Sequence, residues 1–406
     1  MSQPTIEDIE LARRRLNGVV KPTPLIRSAT LERMLEAEVF LKPEILQKTG
    51  SFKIRGAYNR IATLSAEEAA RGVIAASAGN HGQALAWAAS RAGIRATIVM
   101  PATAPIAKVA ATRSYGQTVV LKGSDYQEAQ REAEAIRDRS GAIFVDAYDD
   151  PLVIAGQGTI GLEIADEIEP DAVVVQVGGG GLIAGIAVAL AARVPKAAVI
   201  GVEAAGSPQL SASLARGAAV AIDRPVDTIA DGLATGRLGK IPFALISGRV
   251  KQVVTVDDFE IGEAVLLMLE RMKLLAEGAG AVALAGALKI RGALKGTRVA
   301  IVASGGNIDV NLLDRIIWHG LVKAGRILRF EIDLRDRPGE LGKLLDVIAE
   351  TGANVRAVHH DRTRRDIAIG AAHVMIELEA RGPEHLVAIR DRLRQRGYPI
   401  GSEGAA

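Results

Sequence analysis

The sequence predicts an α/β protein built on parallel sheets and followed by a smaller ferredoxin-like α+β module. Three observations predict it. Short apolar runs alternate with helical patterns through the first three quarters of the chain, and glycine-rich segments stand where several of those runs end. Near Ile327 the texture changes to alternating strands and amphipathic helices.

The apolar runs are VIAAS from Val73, ATIVMP from Ala96, QTVVLKG from Gln117, DAVVVQVGGGG from Asp171, AAVIGVE from Ala197 and RVAIVASGGN from Arg298. Several are apolar on successive residues, as strands covered on both faces must be. Between them, HGQALAWAASRAG and SDYQEAQREAEAIRDRSG read as helices, the second closing on a glycine that suits a helix C-terminus. Alternation of this kind places a parallel sheet between layers of helix. After Ile327, RILRFEIDLRDRPGELGKLLDVIAETGANV gives a strand, a Pro-Gly turn and a helix with Leu341, Leu344, Leu345 and Ile348 on one face. Strands from Val355 and His373, a helix from Pro383 and a last short strand at Tyr398 complete a ferredoxin-like order. The boundary is expected between Lys323 and Leu328, giving domains 1–325 and 326–406, with a smaller subdomain of roughly 50–150 inserted in the first.

At 406 residues, 49% hydrophobic but only 3% aromatic, with 43 glycines, the chain must build its core from Ala, Val, Leu and Ile. The net charge of +3 is small, and basic and acidic side chains balance after Arg329, so no nucleic-acid arm is expected. Cysteine is absent, which excludes thiol catalysis and disulfides. The N-terminus MSQPTIEDIELARRRL lacks the apolar core of a signal peptide, and no apolar run reaches the ~20 residues of a membrane span. A cytoplasmic protein without membrane partners is expected.

Three segments carry the chemistry. In VGGGGLIAGIAVAL, Gly178, Gly179, Gly180 and Gly181 lie between a strand and a helix opened by Leu182, a layout in which backbone N–H groups converge on an anion such as phosphate. Neither a Walker lysine nor GxGxxG spacing is present. SAGNHGQ sets Ser77, Ala78, Gly79, Asn80 and His81 at another strand exit, suited to a carboxylate. SGGN, from Ser304 to Asn307, is the third such exit. Alongside them, QKTGSFKIRGAYN holds Lys53 in a small-residue turn after Ser51 and Phe52, unlike a solvated lysine in charged company. A phosphate cradle, an imine-forming lysine and a hydroxyl for a ring nitrogen together describe pyridoxal 5'-phosphate.

Taken in order, GSFKIRGA, SAGNHGQ, AGQGTIGLEI and VGGGGL resemble the fold-type II pyridoxal phosphate enzymes, and most closely the threonine dehydratases, from Pro24 to Val322. The resemblance implies that Lys53 links covalently to the cofactor and removes the Cα proton. Phe52 then flanks the ring, Asn80 meets its 3-oxygen, Gly178 to Leu182 hold the phosphate and Ser304 meets the pyridine nitrogen. Ser51 and Ser77 to His81 are the implied substrate contacts. The implied reaction is β-elimination of L-threonine to 2-oxobutanoate and ammonia, with L-serine as a second substrate. DRPGELGKLLDVIAETGANV resembles an ACT domain, which implies an amino-acid effector and a homo-oligomer, dimer or tetramer.

Serine racemase and 3-hydroxyaspartate dehydratase are the competing activities on the same scaffold. In the racemases a second serine follows the first serine of this loop and serves as the opposite-face acid and base, whereas this chain has Ala78. Glu203 matches one of their cation carboxylates, but the following residues, Ala204 to Gln209, supply no other, and no metal is expected. His359 and His360 lack a third ligand at sensible spacing. A non-catalytic amino-acid sensor is the alternative outside enzymology, and the presence of Lys53, Asn80 and Ser304 together argues against it.

Overall fold

The computed structural model describes residues 3–364, 366–398 and 400, and the chain divides into two compact units, Met1–Leu312 and Leu313–Ala406. The division falls inside the helix Val310–Lys323. The strands of the first unit are β1 (Ile26–Arg27), β2 (Glu38–Pro43), β3 (Val73–Ala76), β4 (Ala96–Met100), β5 (Thr118–Leu121), β6 (Ile143–Phe144), β7 (Ala172–Gln176), β8 (Ala198–Ala204), β9 (Val250–Val256) and β10 (Arg298–Ala303). They form two sheets, ordered β1-β2-β10-β7-β8-β9 and β5-β4-β3-β6. Every pairing is parallel except that of the two-residue edge strand β1, which runs antiparallel to β2. The smaller sheet lies between β2 and β7 in sequence.

The consecutive apolar runs behave as expected. All residues of β3 and β7 are buried, as are five of the six in β10. Helices cover these faces through a core of small and branched side chains. Pro151–Glu167 and Gly181–Arg193 approach so closely that a Cβ on Gly185 would lie 2.5 Å from the Gly158 nitrogen. Only glycine at this crossing lets the two backbones meet.

Four strands escaped the sequence reading: β1 and β6, each only two residues long, and the longer β2 and β9. β2 carries the fully buried Lys42 and leads into the fully buried Glu44, and charges inside an apolar run mask its pattern. β9 is an edge strand with Lys251 and Gln252 exposed, so its apolar face is intermittent.

The second unit contains β11 (Ile327–Arg335), β12 (Asn354–Asp361) and β13 (Ala371–Glu379) in the antiparallel order β11-β13-β12. Its helices Glu340–Glu350 and Pro383–Gln395 bury Leu344, Ile348, Ile389 and Leu393 against Phe330, Ile332, Val374 and Ile376. Leu341 and Leu345 pack at the margin of that core. Of the short strand expected at Tyr398, the described residues Tyr398 and Ile400 are not in a strand, and the rest lies outside the described residues. Gly397 turns the chain with φ +84°, and the Tyr398 N–H closes the preceding helix on the Leu393 carbonyl at 2.9 Å. Its donor is therefore used by a helix end and not by a ladder.

Candidate active site

The carboxyl ends of β3, β7 and β10 lead directly into Ser77–His81, Gly178–Leu182 and Ser304–Asn307, so three loops distant in sequence open on one cavity. The cavity, about 400 Å³, is lined by Phe52, Lys53, Ser77, Ala78, Gly79, Asn80, His81, Gly178 to Leu182 and Ser304. Of the cofactor and substrate contacts expected from the sequence, Ser51 alone is absent from this lining: it is fully buried, bridges to Gly305, and its hydroxyl lacks a partner among the described residues.

Helix ends explain why the cavity suits an anion. Six helices elsewhere are capped by side chains, from Thr5, Ser28, Ser65, Asp125, Asp150 and Asp257. The helices Lys53–Ile61, Asn80–Ala92, Gly181–Arg193 and Gly278–Lys289 open beside the cavity with no side-chain cap. Their positive dipole ends face the cavity, and their first-turn N–H groups are only partly used, as where Gly82 donates to the Ser77 hydroxyl. At the glycine loop, Gly180 has φ +92°, and a Cβ on Gly179 would collide with the Tyr148 ring. Side chains there would fill the cradle.

Lys53 opens its helix with the ammonium 2.8 Å from the Ala147 carbonyl oxygen and 5.2 Å from the centre of the Phe52 ring. Removal from water lowers its pKa to about 8, with Asp146 and Glu277 opposing that shift. It is therefore neutral far more often than an exposed lysine, about a tenth of the time at pH 7, which makes it a better nucleophile and base. His81 is held neutral: burial, with Lys53 nearby, drives its pKa down to about 3, and its Nε2 donates to the Val145 carbonyl at 2.9 Å. The Ser77 hydroxyl accepts from the N–H groups of Gly79 (3.2 Å) and Gly82 (3.1 Å), so it shapes its own loop. Gln176, in the amide orientation that satisfies its neighbours, donates to the Val302 carbonyl and accepts from the Ser304 N–H and hydroxyl. Ser304 thus presents a neutral group to the cavity.

The sequence reading did not find Glu277 or Tyr148, and it gave Asn307 only as the end of the SGGN exit, without its bond to Asn80. Glu277 is buried at the start of the helix Gly278–Lys289 and accepts from Asn80 Nδ2 at 2.5 Å. Burial, with Asp231 nearby, raises its pKa to about 7. Tyr148 lies over the glycine loop, and burial pushes its hydroxyl up to about 12. No local sequence signal marks them; their company is made by loops far apart in the chain. Glu203 turns its carboxylate to a neighbouring helix start. Its carboxylate accepts from the N–H groups of Leu210 and Ser211, and no cluster able to hold a metal occurs among the described residues.

An anion cradle of glycines, four uncapped helix ends and a lysine of lowered pKa in one cavity fit pyridoxal phosphate. Residues 16–305 match the family described as pyridoxal-phosphate dependent enzyme, and residues 328–397 match the ACT domain. The chain belongs to the pyridoxal-phosphate dependent enzymes. It is 49% identical over 398 residues to an L-threonine ammonia-lyase of Thermotoga maritima, covering 98% of both chains. An L-threonine ammonia-lyase of Geobacter sulfurreducens is 45% identical over 394 residues, covering 97% of this chain and 98% of its own. Among solved structures, maize serine racemase superposes with a TM-score of 0.74 at 33% identity, covering 79% of this chain and 99% of that one. For the processed form of threonine deaminase isoform 2 from Solanum lycopersicum the values are 0.74, 37%, 78% and 90%. This pyridoxal-phosphate dependent enzyme therefore joins a fold-type II catalytic region to an ACT domain.

Proposed function

We propose that the enzyme converts L-threonine to 2-oxobutanoate and ammonia, and L-serine to pyruvate and ammonia. The observation that carries this reading is Lys53, an amine of lowered pKa set in one cavity with the glycine cradle and Asn80. The near full-length likeness to two L-threonine ammonia-lyases supports the choice of substrate.

Gly178 to Leu182 would hold the cofactor phosphate with their N–H groups, Lys53 would bind its aldehyde carbon, Asn80 its 3-oxygen and Ser304 its ring nitrogen. When bound, pyridoxal phosphate supplies an electron sink beside Cα of the amino acid. The loop Ser77–His81, at the positive end of the helix Asn80–Ala92, receives the substrate carboxylate. Lys53 Nζ, once free, takes the Cα proton. The β-hydroxyl would leave as water once given a proton, and Lys53 would displace the product nitrogen by retaking the aldehyde carbon. The freed enamine would tautomerise to an imine that water hydrolyses to the 2-oxo acid and ammonia. A neutral Ser304 at the ring nitrogen stores less charge than a carboxylate partner would, which favours elimination over routes that need a long-lived carbanion.

We read 1–325 as the catalytic region, with a subdomain of roughly 50–150 inserted in it, and 326–406 as an amino-acid-sensing domain in a homo-oligomer. Among the described residues no helix is long and apolar enough to cross a membrane, and a cytoplasmic location is part of this reading. Steady-state rates with threonine, serine and 3-hydroxyaspartate, each with and without isoleucine or valine, test it. Threonine should be turned over, and removal of the residues after Lys323 should erase any amino-acid response while keeping turnover. Preference for 3-hydroxyaspartate alone would overturn the substrate assignment.

A further inference from the structure

Asn80 does not stand alone in the cavity wall. Its Nδ2 donates to Glu277 Oε1 at 2.5 Å, and its Oδ1 accepts from Asn307 Nδ2 at 2.7 Å. Asn307 Nδ2 also donates to the Thr49 carbonyl at 2.8 Å. The chain of bonds therefore ends on a backbone carbonyl at one side and a carboxylate at the other, and neither end can donate while Glu277 is ionised. An amide normally has two orientations of similar cost. Here, turning Asn80 over would set its oxygen against the Glu277 carboxylate and its NH₂ against that of Asn307. Close packing holds the arrangement: the Glu277 N–H donates to the Gly305 carbonyl at 3.1 Å, and a Cβ on Gly305 would collide with Glu277 Oε1.

An Asn80 amide with its oxygen and one N–H committed keeps a single free N–H. We propose that Glu277 and Asn307 are positioning residues for the cofactor, locking Asn80 so that, with Glu277 ionised, it meets the ring 3-oxygen as a donor and not as an acceptor. This rests on the reading of Asn80 as the ring-oxygen contact. A fixed donor favours the anionic form of that oxygen over the protonated phenol, because a hydrogen bond to the charged form stabilises it. A free amide could turn its oxygen to the phenol and stabilise the other form.

Absorbance of the cofactor-loaded protein separates the two forms, since the anionic oxygen gives a visible band and the phenol form a near-ultraviolet one. The spectra to compare are those of the parent, Asn80→Ala, Glu277→Ala, Glu277→Gln, Asn307→Ala and the Glu277→Ala, Asn80→Ala pair. The parent should show mainly the visible band. Glu277→Ala and Asn307→Ala should each lower the visible to near-ultraviolet ratio by about tenfold, the weight of one hydrogen bond to a charged group. Asn80→Ala should do the same, and the pair should change it no further. Glu277→Gln, whose amide oxygen still accepts, should restore much of the ratio. Variant spectra that superimpose on the parent overturn the proposal, as does a loss in Glu277→Ala that Glu277→Gln does not restore. Should Glu277→Ala not fold, Asn307→Ala decides alone. A parent with no cofactor band after loading overturns the reading of the site itself, and the proposal with it.

Discussion

The Arg55 guanidinium grips the Glu44 carboxylate through two parallel bonds, Nε to Oε2 at 2.8 Å and Nη2 to Oε1 at 2.7 Å, with both side chains fully buried. Arg55 lies two residues beyond Lys53 on the same helix, and its remaining donors reach Glu163 (2.5 and 2.8 Å) and Thr159 (3.1 Å). Lys42 joins from β2, 2.6 Å from Glu163. The helix that presents Lys53 is thereby bolted to β2 and to the helix Pro151–Glu167 by charge as well as by packing. Burial opposes ionisation of Glu163, yet Arg55 and Lys42 hold it below the usual carboxylate range.

Removing one partner of such a network leaves the others charged and unpaired. Arg55→Met should therefore cost about 3 to 5 kcal/mol of stability, far more than a surface pair would. Urea unfolding of the cofactor-free protein measures it. A loss below about 1 kcal/mol would mean that the network contributes nothing beyond packing.

Lys53→Met should abolish 2-oxobutanoate formation, with a fall of at least about 100-fold from loss of the Cα base. Its effect on the cofactor-free protein has a definite sign. Burial lowers the Lys53 pKa from 10.5 to about 8, so the folded state carries the full cost of a desolvated ammonium below pH 8. That cost fades as pH rises from 8 to 10.5. The melting temperature of Lys53→Met relative to the parent should thus be most favourable below pH 8 and shrink toward pH 10.5. A constant difference across that range would place Lys53 in solvent.

Glu277 titrates the other way. Burial and Asp231 raise it from 4.5 to about 7, while the Asn80 hydrogen bond, Lys108 and Lys53 pull it down. The folded chain keeps a proton that the unfolded chain releases between pH 4.5 and 7, so this group removes stability as pH rises through that window and no more above it. Glu277→Gln lacks the titration. Melting of cofactor-free parent and variant at pH 5 and pH 8 should show the variant gaining relative to the parent at the higher pH; equal differences at both would contradict the buried carboxyl.

Ala78 lines the cavity within the loop that follows β3. Placing a hydroxyl there by Ala78→Ser should introduce serine racemisation, since it supplies a second acid and base on the face opposite Lys53. Chiral chromatography of L-serine incubations reads the outcome, and D-serine no higher than with the parent would reject the role of this position.

The sequence by itself determined the parallel sheets, the ferredoxin-like module and the lysine, glycine and serine loops, because each depends on residues adjacent in the chain. A buried strand must be apolar throughout, a strand exit that cradles an anion must be free of side chains, and an αL helix stop such as Gly141 must tolerate φ +71°. What the sequence could not show is company made at long range. Glu277 is 197 residues from the Asn80 that it orients, and Asn307 is 227 away. Lys42 and Glu44 read as interruptions of a strand until Arg55 and Glu163 are seen to satisfy them. Tyr398 looked like a strand residue until a glycine spent its N–H on a helix end. A buried charge or amide is tolerable only beside its partner, and only the packed fold decides which partner that is.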